Sequence, residues 1–282
     1  MTKRIKIQSK RLRYNTAVAR YQKETNNKDS VNELSQFKRF SEVVGNPFID
    51  QIDRKMINEF ILKRQDDGVS NTTINRTLQK LRSLLNKAKR EWEVIDGELP
   101  FIKMFTESGN TRVRWLTRNQ VKRLAHRLPE HLADMMLFSV ETGLRESNVT
   151  RLRWDQIHFS EKVIVVEGDD VLKSDNPFMV PLTEKALEIL KRNRGNHPDR
   201  VFTFRGNPVK KASTKAFREA VDSCGIRDFR WHDLRHTWAT WHVQRGTPLE
   251  ILQKLGGWSS LQSVQRYAHY GYKDLRPYVE DF

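Results

Sequence analysis

The spacing of apolar positions divides the chain into an all-helical first part and a mixed second part. From Asn15 to about Met104, apolar residues recur every three or four positions, the period of helices with one buried face. Ala17, Val18 and Tyr21 open a first helix. Ser30 with Glu33 has the form of a capping box ahead of Leu34, Phe37, Phe40, Val43 and Val44. Asp53 caps a short helix over Met56 to Leu62, and Gly68-Val69-Ser70 makes a turn. Ser70 or Asn71 then starts the longest predicted helix, to about Trp92. Leu78, Leu81, Leu84, Leu85 and Ala88 share one arc of it, and Arg76, Lys80, Ser83, Asn86, Lys87 and Arg90 share the other. That second arc is a solvated face or a face laid against DNA, and its lack of acids before Glu91 favours DNA.

Residues 105–113 are polar and cross no periodicity, which reads as a linker between two domains, 1–108 and 109–282. Thr117 caps a helix through Ala125, and Leu132 to Glu141 forms a more apolar one closed by Thr142-Gly143. A third begins near Ser147 and carries Val149, Leu152 and Trp154. Val163–Val166 and Phe178–Pro181 alternate as two short strands joined by a polar turn. Thr183 caps a helix from Leu182 to Arg192, and Pro198 to Asn207 is irregular around a short buried segment, Val201 to Phe204. Ser213 to Cys224 is helical. The fold class is therefore mainly α with a small antiparallel β-sheet.

Charge changes the picture more than composition does. The net charge is +16, with 51 Lys and Arg against 35 Asp and Glu. Residues 1–109 hold 22 basic and 14 acidic side chains, leaving 29 and 21 for the rest, so each part carries +8. An excess spread along the whole chain suits a protein that holds a polyanion over its length; a ribosomal or membrane-surface protein could share it. Residues 1–14 form a basic N-terminal arm, frayed in solvent or lying on phosphates. Cys224 is the sole cysteine, which excludes an internal disulfide and a cysteine-based zinc site. There is no apolar run of membrane-spanning length, no signal-peptide pattern at the start, and no P-loop or metal-ligand spacing. A cytoplasmic protein, in the bacterial cytoplasm or nucleoid, is the expectation.

The chemistry concentrates between Trp231 and Tyr267. Trp-His-Asp-Leu-Arg-His places His232 and Arg235 three apart, on one side of a helix. Gly256-Gly257 ends a helix and Ser259-Ser260 can cap the next, so the chain can turn between Trp258 and Tyr267 and bring them together. Arg145 follows the sharp turn at Gly143 in Thr-Gly-Leu-Arg-Glu-Ser, and Lys173 lies in the polar turn between the two strands. Each residue has an ordinary explanation by itself. Tyr267, Trp231 and Trp258 could be core aromatics, as Trp238 and Trp241 are expected to be, Arg145 a helix-end ligand, and Lys173 a solvated lysine with Lys162 its nearest competitor. His236, His242 and His269 read as structural or surface.

Taken in order and spacing, Arg145, Lys173, His232, Arg235, Trp258 and Tyr267 resemble the catalytic set of the tyrosine recombinases, the phage integrase family. The likeness covers about residues 115–275 closely and the helical part loosely. It implies a helical core-binding domain and a catalytic domain closing as a two-domain clamp on double-stranded DNA, with Tyr267 as nucleophile forming a 3′-phosphotyrosyl bond. Two arginines suit the transition state, because each stays protonated and offers forked donors to non-bridging oxygens. By the same likeness His232 accepts the phenolic proton or holds the oxygens, and Lys173 protonates the departing 5′ oxygen. Trp258 stands where many members carry His; its indole donates one hydrogen bond and cannot shuttle a proton. No cofactor is required.

The resemblance further implies a homotetramer on DNA in which the C-terminal tail, 270–282, packs on a neighbouring protomer through Leu275 and Val279, with an accessory DNA-bending or directionality factor as a possible partner. Residues 1–14 are too short to fold as the arm-binding domain of larger integrases, so a compact member of the family is expected, integrating or excising a phage or other mobile element. One departure is Asn148, where an acid is common; an amide keeps a hydrogen bond and loses a charged partner. The alternatives are a Xer-like chromosome-dimer resolvase, a monomeric topoisomerase-like relaxer, and a catalytically silent DNA-binding regulator on the same scaffold.

Overall fold

A computed structural model describes residues 11–25, 30–106, 113–166 and 178–268. The chain divides into two compact units, Met1–Asn110 and Thr111–Phe282. It is mainly α-helical with two small antiparallel sheets.

In the first unit, α1 (Tyr14–Thr25), α2 (Ser30–Val44), α3 (Arg54–Asp66) and α4 (Asn71–Arg90) pack around one core. The side chain of Asp53 accepts from the amide of Met56 at 2.9 Å, and that of Ser70 from Thr73, so the expected caps start α3 and α4. Leu78, Leu81, Leu84, Leu85 and Ala88 are fully buried against Tyr14, Phe37, Phe40 and Phe60. Each such leucine contributes about 1.5–3 kcal/mol by leaving water.

The helical period does not extend to Met104. Residues 91–106 carry no helix. Glu93 is in the left-handed region at φ 53°, and Gly97 and Pro100 follow, so a helix cannot propagate. Trp92, Ile95 and Ile102 are buried nonetheless. Side chains of α4 satisfy the irregular backbone: Asn75 donates to the carbonyl of Phe105 and accepts from its amide, both at 2.9 Å, and Arg82 donates to the carbonyl of Ile102.

Two residues of the expected DNA-facing arc are engaged within the unit. Lys80 pairs at 2.6 Å with Glu33, whose side chain is 1% exposed. Lys87 pairs with Glu24 at 3.3 Å and with Glu91. Arg76 and Arg90 are exposed. Of the basic arm, Arg11 pairs with Asp50 at 2.9 Å, Arg13 donates to the carbonyl of Asn46 at 3.0 Å, and both guanidinium groups lie over Phe48. Residues 1–10 lie outside the described residues.

The second unit begins with α5 (Arg118–Arg127), started by a full capping box of Thr117 and Gln120. α6 (Glu130–Thr142) is its central helix, and α7 (Glu146–Arg151) follows after a turn at Gly143. Trp154 belongs to a short 3-10 turn, Trp154–Gln156, rather than to α7. The sheet has the order β1 (Ile157–His158), β2 (Val163–Val166), β3 (Phe178–Pro181), antiparallel throughout, with Ile164 opposite both Ile157 and Val180. The polar turn containing Lys173 lies outside the described residues.

α8 (Glu184–Asn193) is capped by Thr183. The segment expected to be irregular contains a hairpin, β4 (Thr203–Phe204) and β5 (Asn207–Pro208). Its two-residue loop, Arg205 and Gly206, has φ of 53° and 76°, the paired left-handed geometry that matches the twist of adjacent strands. α9 (Lys215–Ser223), α10 (Asp233–Gln244), α11 (Leu249–Gly256) and α12 (Gln262–Gln265) complete the unit. No helix among the described residues is long and apolar enough to cross a membrane.

Candidate active site

Two chain reversals and the start of one helix build the site. Gly143 closes α6 at φ 68°, and Arg145 occupies the N-cap of α7. His232 occupies the N-cap of α10, and Arg235 lies in its first turn. Gly257 closes α11 at φ 61°, which lets Trp258 fold back and the short α12 deliver Tyr267. Leu261, not Ser259 or Ser260, sits at the N-cap of α12, and Ser260 is joined to Ser263 by hydroxyl contact at 3.0 Å. Tyr267 falls in the turn after that helix and is 5% exposed.

Arg235 is the hub. Its guanidinium, 3% exposed, donates to the carbonyl of Gly143 at 2.8 Å and to that of Gly256 at 2.6 Å. It thereby ties the end of α6 to the end of α11, using two of five N–H groups. Burial, and then the neighbouring Arg145, push Arg235 down to about 9, so it remains protonated at neutral pH. Arg145 is likewise lowered by burial, and the charge of a Tyr267 phenolate would raise it, which places the two groups within electrostatic reach. Burial raises the Tyr267 phenol, while Arg235, Arg266 and Arg145 pull it down. A phenolate forming here would find three cations around it.

The two glycines are required by close approach. A Cβ on Gly143 would stand 2.3 Å from the Trp238 ring, and one on Gly256 would stand 2.0 Å from the Trp258 ring. Both indoles stack, at 5.9 Å between centroids and 29° between planes. Trp258 also underlies Arg235 and meets Tyr267 at 5.9 Å, so it packs the site as expected of a residue that cannot relay protons.

His232 is exposed, and burial by the surrounding protein followed by Arg235 and Arg145 lowers it. It is therefore neutral at pH 7. Arg145, His232, Arg235, Trp258 and Tyr267 are thus brought together. Lys173 lies outside the described residues, as does His269. Its competitor Lys162 pairs with Glu184 on the surface. Asn148 is buried and accepts from the Ser147 hydroxyl at 3.3 Å. His242 contacts Thr247 and the Trp238 ring.

Two residues of the site escape the sequence reading. Glu146, beside Arg145, accepts from the amides of Ala212 and Ser213 at 2.8 and 2.7 Å and so anchors the loop before α9. His236, read as structural or surface, is 7% exposed with its Nδ1 2.6 Å from the Tyr267 hydroxyl. The spacing that put His232 and Arg235 on one side also puts His236 there, one turn beyond His232, and the two imidazoles meet at 5.1 Å.

Comparison with known proteins gives the family of the chain. Residues 114–273 match the model of the phage integrase family, and residues 18–106 match the phage integrase N-terminal domain. The integrase of Salmonella phage P22 is 40% identical over 205 residues, 68% of this chain; the match spans 52%, about half, of that integrase. Among solved structures, the Tn1549 transposon integrase in complex with transposon right end DNA superposes with a TM-score of 0.77 at 18% identity, covering 96% of this chain and 99% of that one. A lambda integrase tetramer bound to a Holliday junction gives 0.70 at 17% identity, covering 94% and 81%. The chain belongs to the phage integrase family.

Proposed function

We propose that this chain is a site-specific DNA recombinase of the integrase type, which cuts and rejoins DNA through a 3′-phosphotyrosyl link at Tyr267. The convergence of Tyr267 with Arg145 and Arg235 in one buried, cationic site carries the reading. In the attack, the phenol oxygen bonds to phosphorus while negative charge grows on the two non-bridging oxygens. Arg145 and the unused N–H groups of Arg235 are the donors for that charge, and preorganised donors of this kind contribute about 3–4 kcal/mol each. The tie from Arg235 to two carbonyls holds its fork before DNA arrives, so no reorganisation is needed at the moment of reaction. His232, which is exposed, holds a phosphate oxygen on this reading. Lys173 supplies the proton to the departing 5′ oxygen.

The first unit acts as the core-type DNA-binding domain, with exposed Arg76 and Arg90 on phosphates, and the second as the catalytic domain. The partner is double-stranded DNA. The similar structures, one in complex with transposon DNA and one a tetramer on a Holliday junction, support a tetramer that exchanges strands in pairs. Tail exchange through residues 270–282, an accessory bending factor and action in the bacterial cytoplasm belong to the same proposal. Integration or excision of a phage or mobile element is favoured over dimer resolution by the 40% identity to a phage integrase.

The test is incubation with a pool of nicked duplexes and a denaturing gel, comparing the native chain with Tyr267→Phe. A protein–DNA adduct formed by the native chain and absent with Tyr267→Phe establishes the transesterase, and the trapped DNA reports the site. Tight binding without adduct identifies a silent binder.

A further inference from the structure

We propose that His236, rather than His232, is the residue that accepts the phenolic proton of Tyr267. The inference rests on the proposed transesterification. His236 Nδ1 is 2.6 Å from the phenol oxygen, within the range of a strong hydrogen bond, and both side chains are shut away from solvent at 7% and 5% exposure. His232 is exposed and stands edge-on to the His236 ring. A phenol held in a buried pocket cannot give its proton to bulk water, so a base must lie inside. The geometry puts one there.

The surroundings suit a proton acceptor. Among the described residues, the charged groups acting on Tyr267 are Asp233 and Arg235 from the start of α10, Arg145 from the start of α7, and Arg266 beside it, and His232 stands against the His236 ring. The three guanidinium groups favour an anionic phenol oxygen once it forms. Asp233 is turned to the amide of Arg230, from which it accepts at 2.8 Å.

The step balances. With its proton on Nε2, His236 takes the Tyr267 proton on Nδ1 as the phenol oxygen bonds to phosphorus. The bond from phosphorus to the 5′ oxygen breaks, its electron pair stays on that oxygen, and the oxygen receives a proton from the general acid. In rejoining, the 5′ hydroxyl returns its proton to the general acid as its oxygen attacks phosphorus, the phosphotyrosyl bond breaks, and Nδ1–H returns its proton to the phenol oxygen. His236 is a catalytic residue on this account, and its hydrogen bond also fixes the phenol in the pocket.

The experiment is single-turnover adduct formation on a nicked duplex across about pH 5.5–9, with the native chain, His236→Asn and His236→Gln. Asn keeps an acceptor near the place of Nδ1 and cannot take a proton. The expected result is a loss of about 100-fold or more at neutral pH, unchanged DNA binding, and a rate that climbs with pH where the native profile levels off. An undiminished rate, or a lower rate with the native pH profile, overturns the proposal and leaves a packing role. Should both variants fail to fold, fluorinated tyrosine at position 267 of the native chain decides. An acid limb that stays in place belongs to the histidine and supports the proposal; one that moves with the acidity of the phenol overturns it. No adduct from the native chain on any duplex overturns the recombinase reading itself, and this step with it.

Discussion

The Arg235 guanidinium carbon lies 4.0 Å from the centre of the Trp258 ring. The Trp258 indole cannot relay a proton, and its ring face supports a cation. Such contacts are worth about 0.5–2 kcal/mol, equivalent to about 2- to 30-fold in rate. Trp258→Ala should slow single-turnover adduct formation by that amount, and Trp258→Phe, which keeps an aromatic face, by much less. Native rates for Trp258→Ala would remove the indole from the chemistry.

Arg235→Lys should be costly twice over. An ammonium cannot reach the carbonyls of Gly143 and Gly256 together while also facing a phosphate. Leaving buried carbonyls unpaired costs about 1–3 kcal/mol, and losing a preorganised donor costs about 10²–10³ in rate. Urea denaturation and adduct kinetics measure the two separately. A destabilised variant that reacts at the native rate would confine Arg235 to structure.

Gly143→Ala and Gly225→Ala separate backbone strain from close approach. Both glycines have positive φ, 68° and 66°, but a Cβ at Gly225 meets open space. Gly225→Ala should cost about 1–2 kcal/mol for the left-handed backbone. Gly143→Ala adds overpacking against Trp238, about 1–3 kcal/mol more, and should also lower activity by displacing the carbonyl that holds Arg235. Equal unfolding midpoints for the two variants would contradict the close-approach argument.

Acid should weaken the second unit below about pH 6.5. Burial lowers His131, His232 and His242 from their ordinary value of 6.5. Below that value the unfolded chain takes up protons that the folded chain refuses, so stability is full above 6.5 and falls as pH drops toward the folded values. The lowered carboxylates, such as Glu184, act below their ordinary 4.5, outside this window. Six of the seven tryptophans lie after residue 110, so fluorescence follows this unit. The urea midpoint should be lower at about pH 5 than at about pH 7.5, and His242→Asn should reduce the difference. A flat profile would reject the linkage.

Arg76 and Lys80 should part company. Lys80 neutralises the buried Glu33, so Lys80→Ala should destabilise the first unit by about 1–2 kcal/mol, less than a fully buried pair would cost. Exposed Arg76 should leave stability alone when changed to Ala and reduce the salt slope of DNA binding by about one. The reverse pattern would place the phosphate contact at Lys80.

The sequence by itself determined most of the helical stretches, the caps at Asp53, Ser70, Thr117 and Thr183, and the order of the chemistry. Ser70, Thr117 and Thr183 act within three residues of themselves, and Gly143 and Gly257 reverse the chain because few other residues adopt their φ. Local rules are legible without a fold. The period failed after Arg90, where apolar residues mimic a helix while Gly97 and Pro100 disfavour one, and where the backbone finds its partners on α4. Tertiary packing alone decided that Lys80 and Lys87 serve Glu33 and Glu24 across 47 and 63 positions of chain. It also decided that Arg235 spends two donors on distant carbonyls, and that His236, identical by helical spacing to a surface histidine, meets a phenol 31 residues away. Spacing says which side of a helix a residue takes; what stands opposite is settled by how the helices pack.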